Sequence, residues 1–125
     1  MSEKLGDFLL HHVSNTYERT DSTLRTQVNW ELKDNELWGS GFNTLTVEHD
    51  MKNPNATSGK CLWAGEVFLP DGTRAMGWDE GTWEATDEHT WKVEVTGWNS
   101  LDGNTRTEGV ISLAERTFSG SVYKA

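Results

Sequence analysis

Between Leu24 and Leu32 the chain alternates. Leu24, Thr26, Val28, Trp30 and Leu32 share one phase, and Arg25, Gln27, Asn29 and Glu31 share the other. A period of two marks a strand with one buried face. Lys33-Asp34-Asn35-Glu36 then reads as a tight turn, because Asp and Asn tolerate left-handed backbone. The same pattern recurs down the chain. A second strand runs from about Leu37 to Glu48, with Gly39 and Gly41 marking a bulge or a close backbone approach. His49 to Gly59, with Asn53-Pro54-Asn55, is the longest loop, and Lys60 to Leu69 is the next strand. Pro70-Asp71-Gly72-Thr73 is a strong turn signal. Thr73 to Thr86 reads as a long strand bent at Gly77 and Gly81, followed by a turn at Asp87-Glu88-His89. Thr90 to Asn99 carries Trp91, Val93 and Val95 on one face and runs toward the hairpin signal Asp102-Gly103. Thr105 to Leu113 and Arg116 to Lys124 complete the series across a short turn at Ala114-Glu115.

The N-terminal stretch fits two periods. Leu5, Phe8, Leu9, His12, Val13 and Tyr17 have helical spacing. Phe8, Leu10 and His12 against Leu9, His11 and Val13 suit a strand covered in part on both faces. Gly6 weakens a helix by about 1 kcal/mol relative to Ala. Ser2 is followed at the capping position by Leu5, not by Glu or Gln. A strand from about Asp7 to Tyr17, after one helical turn at most, is the better reading. The chain thus predicts about eight strands in hairpin order, which favours sequential antiparallel neighbours. The expected fold class is all-β: a single antiparallel barrel occupying residues 1–125 as one domain. Closure removes the sheet edges, and eight strands leave an interior wide enough for side chains or one small ligand.

Composition supports strands. Aromatic residues make up 10% of a chain that is only 34% hydrophobic, and seven of them are Trp, a type that suits pleated, half-buried surfaces. The 125 residues carry a formal charge of −9. Such a surface repels phosphate backbones and anionic lipid, so neither nucleic acid nor a membrane is an expected partner. No apolar run approaches the ~20 residues of a membrane-spanning helix. Met1-Ser2-Glu3-Lys4 lacks a secretory layout, so a cytoplasmic location is expected. A single cysteine, Cys61, excludes an internal disulfide framework and reads as a small buried hydrophobe.

Leu5-Gly6-Asp7-Phe8 is similar to the Gly-x-Trp opening of lipocalin-like (calycin) barrels, with Phe8 where Trp is usual. Trp98 to Gly103 and the closing Thr117-Phe118-Ser119-Gly120-Ser121-Val122-Tyr123 also resemble small bacterial barrels of this group, and the general layout is similar to allene oxide cyclase-like barrels. The resemblance implies a barrel that takes a small, mostly apolar molecule. It carries over no catalytic residue.

Candidate chemistry is sparse. His11 and His12 are adjacent, so on a strand they face opposite ways and cannot chelate one metal. His49 and His89 fall in a loop and a turn, and no metal site or cofactor is expected. His12 shares its face with Phe8 and Leu10, which aims it at a cavity. Residues 79–94 hold six carboxylates against Lys92, the pattern of a solvated face. If Met76 and Trp78 point inward, however, Glu80 points inward with them, and a buried carboxyl is a candidate acid or base. Arg74 and Arg106, near strand ends, either pair with surface carboxylates or anchor a ligand carboxylate at the barrel mouth. Trp30, Trp63, Trp78 and Trp91 fall on the apolar phase of their strands. Trp38, Trp83 and Trp98 fall on the other phase or near strand ends, which makes them candidates for an interface between copies in a dimer or for a binding patch.

The expected function is binding of a small, mostly apolar molecule in a pocket lined by Trp30, Trp63, Met76, Trp78 and Trp91, with Arg74 and Arg106 at its rim. One alternative is an isomerase, cyclase or lyase in which Glu80 or His12 transfers a proton. The other is a carbohydrate-binding or structural module, since Trp faces stack on sugar rings.

Overall fold

Each turn signal becomes a hairpin. A computed structural model describes residues 3–125, so the Met1-Ser2 start lies outside it. The strands are β1 (Lys4–Thr20), β2 (Thr23–Asn35), β3 (Gly39–Asp50), β4 (Ser58–Phe68), β5 (Arg74–Asp87), β6 (Thr90–Asn99), β7 (Gly103–Ser112) and β8 (Thr117–Lys124). Each pairs antiparallel with the next, and β1 pairs with β8 to close the barrel. Among the described residues there is no helix, hence none long and apolar enough to cross a membrane. The N-terminal ambiguity resolves as strand from Lys4 onward, without a helical turn, because β1 finds partners on both sides in β2 and β8.

The turns divide into two ends. Residues 21–22, 51–57, 88–89 and 113–116 connect strands at one end, and 36–38, 69–73 and 100–102 at the other. Short polar side chains set several of them. Asn35 Oδ1 accepts from the backbone N–H of Leu37 and Trp38, and Asn99 Oδ1 accepts from those of Leu101 and Asp102. Asp21, Asp34, His89 and Arg116 take positive φ between 48° and 58°, a conformation that Asp and His adopt more readily than most residues.

The core consists of Leu10, Trp30, Leu32, Leu45, Cys61, Trp83, Val93, Val95 and Phe118. Phe118 is 1% exposed. Its ring centroid lies 5.2 Å from Phe8, 5.3 Å from Trp63 and 5.8 Å from Trp30, within the range of favourable aromatic pairs.

One expected phase is reversed. Met76, Trp78 and Glu80 point outward, with Met76 54% and Trp78 56% exposed. The inward residues of β5 are Ala75, Asp79 and Trp83, separated by Gly77 and Gly81. No bulge occurs at either glycine, since pairing to β4 and β6 is unbroken through both. The cause is steric. Where β5 and β6 pair, their backbones approach closely at Gly77, Gly81 and Gly97, so the inward positions of β5 from Ala75 to Gly81 are small, and only Trp83 beyond them is large. A Cβ on Gly81 would strike Glu94 O and lie 2.7 Å from Val95 Cα. A Cβ on Gly97 would strike Trp78 O and Asp79 Oδ1 and lie 2.6 Å from Asp79 Cα. Backbone cannot yield as a flexible side-chain tip does. Gly97→Ala is therefore expected to cost about 1–3 kcal/mol, as overpacking does. Urea unfolding of the variant beside the wild type checks this, and a cost below about 0.5 kcal/mol would contradict it.

Candidate functional site

The interior contains two cavities, one toward each end. The larger, about 490 Å³, lies toward the end that carries the 51–57 loop and the 113–116 turn. Val28 and Trp30 of β2, Leu45 and Val47 of β3, Trp83 of β5, Trp91 and Val93 of β6 and Ile111 of β7 supply its apolar wall. Pro54 and Ala56 of the loop and Leu113 of the turn contribute to its lining. The ionisable groups in the lining are His12, His49 and Arg116, with no carboxylate among them, although the protein carries −9 overall.

A bulge builds the polar corner of this cavity. Pairing of β1 with β2 shifts register between His12 and Ser14. Without the shift Ser14 would follow His12 into the barrel. With it Val13 is extruded, 55% exposed, and Asn15 turns inward instead. His12 Nε2 then lies 2.7 Å from Asn15 Oδ1, and the Asn15 amide donates to Tyr17 Oη at 3.0 Å. The His12 ring stands edge-on to Trp30 at 5.6 Å, and His49 lies against Trp83 at 5.2 Å. Arg116 is held at the mouth by its own turn, where Nη1 donates to Leu113 O at 3.0 Å. Among the described residues no carboxylate forms an ion pair with it.

The smaller cavity, about 130 Å³, lies toward the other end. Its lining includes Phe8, Leu32, Trp38, Trp63, Asn43, Thr105 and Asp79. Asp79 is only 7% exposed, and its carboxyl is pushed up to about 6 by burial. Charge cannot be solvated in such a place as it is in water, which favours the protonated form.

The other residues singled out in the sequence divide plainly. Trp30 and Trp91 line the large cavity, and Trp63 the small one. Trp78 does not reach the interior. It forms a shallow outer groove with Phe42, Met76 and its cross-strand neighbour Trp98. Of the Trp residues expected on the outside, only Trp98 is well exposed; Trp83 is buried in the core, and Trp38 lines the small cavity. The interior carboxylate is Asp79, not Glu80. Arg74 and Arg106 are both occupied outside the barrel. Arg74 Nε lies 3.2 Å from Glu66 and its guanidinium covers the Phe68 ring. Arg106 Nη1 donates to Glu108 at 2.8 Å, and its guanidinium covers Tyr123 at 4.5 Å. Cys61 is buried and its thiol is pushed up to about 11 by desolvation, so at neutral pH it remains an unreactive thiol.

Sequence reasoning missed Asn15, Asp79, Trp83 and Arg116. Asn15 depends on a bulge that no residue announces. Asp79 and Trp83 were within reach. Counting back in pairs from the Pro70–Thr73 turn places Phe68 opposite Arg74 and Trp63 opposite Asp79, and directly opposed residues share a face. Comparison with family models, with curated proteins and with solved structures found no match for this chain.

Proposed function

We propose that the protein binds a small, mostly apolar molecule in the large cavity, with an acidic group of that molecule directed at Arg116. The observation that carries this reading is the cavity itself. Its ~490 Å³ lies within the range of small-molecule sites, which are mainly apolar with a few placed polar groups. Well-packed interiors leave few voids larger than a water molecule. The basic groups in its lining, His12, His49 and Arg116, complement an anionic headgroup, and Arg suits a carboxylate or sulfonate through its forked donors.

A titration with 1-anilinonaphthalene-8-sulfonate, followed by quenching of Trp emission, tests the reading. One molecule is expected to bind per chain. Ala56→Trp, a change in a loop that tolerates substitution, plugs the mouth and is expected to weaken binding at least tenfold. Arg116→Gln is expected to weaken the sulfonate by about tenfold, the effect of losing a charge-assisted hydrogen bond, while leaving the neutral N-phenyl-1-naphthylamine unaffected. Binding unchanged in Ala56→Trp would overturn the assignment.

A proton-transfer enzyme is the second reading, and His12 is what favours it. It is the titratable ring that sits beside Trp30 in the large cavity with a polar partner, Asn15, holding its orientation. In that case His12→Gln abolishes turnover of a bound substrate and leaves its affinity within a few-fold of the wild type.

A further inference from the structure

The barrel has a second cavity whose chemistry is opposite to the first. The ionisable residues that border it are Asp79, Glu66 and Asp102, with no Lys, Arg or His. Glu66 on β4 stands opposite the outward-pointing Met76, and its carboxylate is engaged by Arg74 on that outer face at 3.2 Å. Asp102 belongs to the turn between β6 and β7. Asp79 on β5 is the buried one, held between Trp63 of β4 and Gly97 of β6 in register. Nothing among the described residues offsets its charge, and burial alone accounts for its raised affinity for a proton. The space beside it, about 130 Å³, is close to the ~150 Å³ of a cavity that accepts benzene. The rings of Phe8, Trp38 and Trp63 lie in the same lining, and aromatic faces attract cations.

We propose that this small cavity is a binding site for a small alkylammonium cation, with Asp79 as its counter-charge and Trp38 and Trp63 as its aromatic walls. Each feature of the lining selects for that class. An anion is repelled by the buried Asp79 carboxylate. A neutral apolar guest leaves Asp79 unpaired, and an unpaired buried charge is costly. A metal ion needs several hard ligands, and no group of three or more His, Cys, Asp or Glu able to hold one occurs among the described residues. An alkylammonium group supplies a charge, N–H donors for the carboxylate and a short apolar body for the rings. The site is separate from the large cavity, so it stands or falls independently of the function proposed above.

The test is an NMR titration with propylammonium chloride, read on the Asp79 carboxyl carbon and on the Trp38 and Trp63 indole N–H signals. Saturable shifts are expected at these three residues below roughly 10 mM, a modest affinity because so small a ligand has few atoms to contribute. The Asp79 carboxyl should fall back toward the ordinary ~4 of an aspartate, since a bound cation favours the ionised form. Propanol, the neutral analogue, and sodium chloride at equal ionic strength should give no saturable shift. Asp79→Asn keeps the shape and should lose at least tenfold in affinity. The proposal is overturned by absence of saturation, by equal shifts with propanol or sodium, or by undiminished binding in Asp79→Asn. If the variant folds poorly, the Asp79 carboxyl signal of the wild type still decides between binding and no binding.

Discussion

Phe118→Ala is expected to destabilise the barrel by about 3–5 kcal/mol, the cost of emptying a fully buried aromatic site. Phe118 is 1% exposed and its ring touches Phe8, Trp30 and Trp63 together. Phe8 and Trp63 line the small cavity, and Trp30 lines the large one. Removing the Phe118 ring therefore leaves a hole between two cavities that already exist, where neighbouring side chains cannot collapse inward to fill it. Domains are stable by only about 5–15 kcal/mol, so the loss is a large fraction of the whole. The melting temperature should fall by more than about 10 °C. Thermal unfolding followed by far-UV circular dichroism measures it. A cost under about 1 kcal/mol would mean that Phe118 is not the packed centre of the barrel.

Asp79→Asn is expected to work in the opposite direction, and only above a certain pH. The folded carboxyl sits at about 6 against an ordinary 3.8. The folded state thus holds the proton more tightly than the unfolded state. Below about pH 4 both states are protonated and Asp79 costs nothing. As pH rises from 4 to 6 the unfolded chain ionises first, and stability is lost. Above pH 6 the loss is complete, at about 3 kcal/mol from the two values. Asn cannot ionise, so the variant should be the more stable protein at pH 7 by roughly 2–3 kcal/mol and nearly equal to the wild type at pH 3.5. Urea unfolding of both proteins at the two pH values decides the point. An equal difference at both would show that Asp79 ionises in the barrel as it does in water.

Strand order was legible in the sequence because local chemistry controls it. Asp34-Asn35, Asp71-Gly72 and Asp102-Gly103 mark three of the connections, and the observed strands begin and end within a few residues of the expected ones. The faces of β2 and β6 were equally clear, because Trp30, Val93 and Val95 alternate with polar neighbours. β5 was not, for a physical reason. Its inward positions from Ala75 to Gly81 are small where its backbone lies close to that of β6, while its outward positions include Met76 and Trp78. Side-chain size alone then assigns the wrong face, and only the register to Trp63 corrects it. The cation of the large cavity was hidden differently. Arg74 and Arg106 lie near turns, as does Arg116, but nearby carboxylates and rings claim them. Which arginine remains free is a tertiary property. The polar corner at His12 and Asn15 likewise requires the bulge, which shifts one residue past its neighbour without any turn residue to signal it.

The seven tryptophans allow the central claim to be tested in one experiment. Trp30, Trp83 and Trp91 border the large cavity, Trp38 and Trp63 the small one, and Trp78 and Trp98 the outer groove. Their indole N–H signals, assigned in a two-dimensional NMR spectrum, report separately on the three places during titration with 1-anilinonaphthalene-8-sulfonate. Binding in the large cavity predicts saturable shifts at Trp30, Trp83 and Trp91, while Trp78 and Trp98 stay in place. Shifts confined to Trp78 and Trp98, or no saturable shift at the three cavity residues, would contradict it.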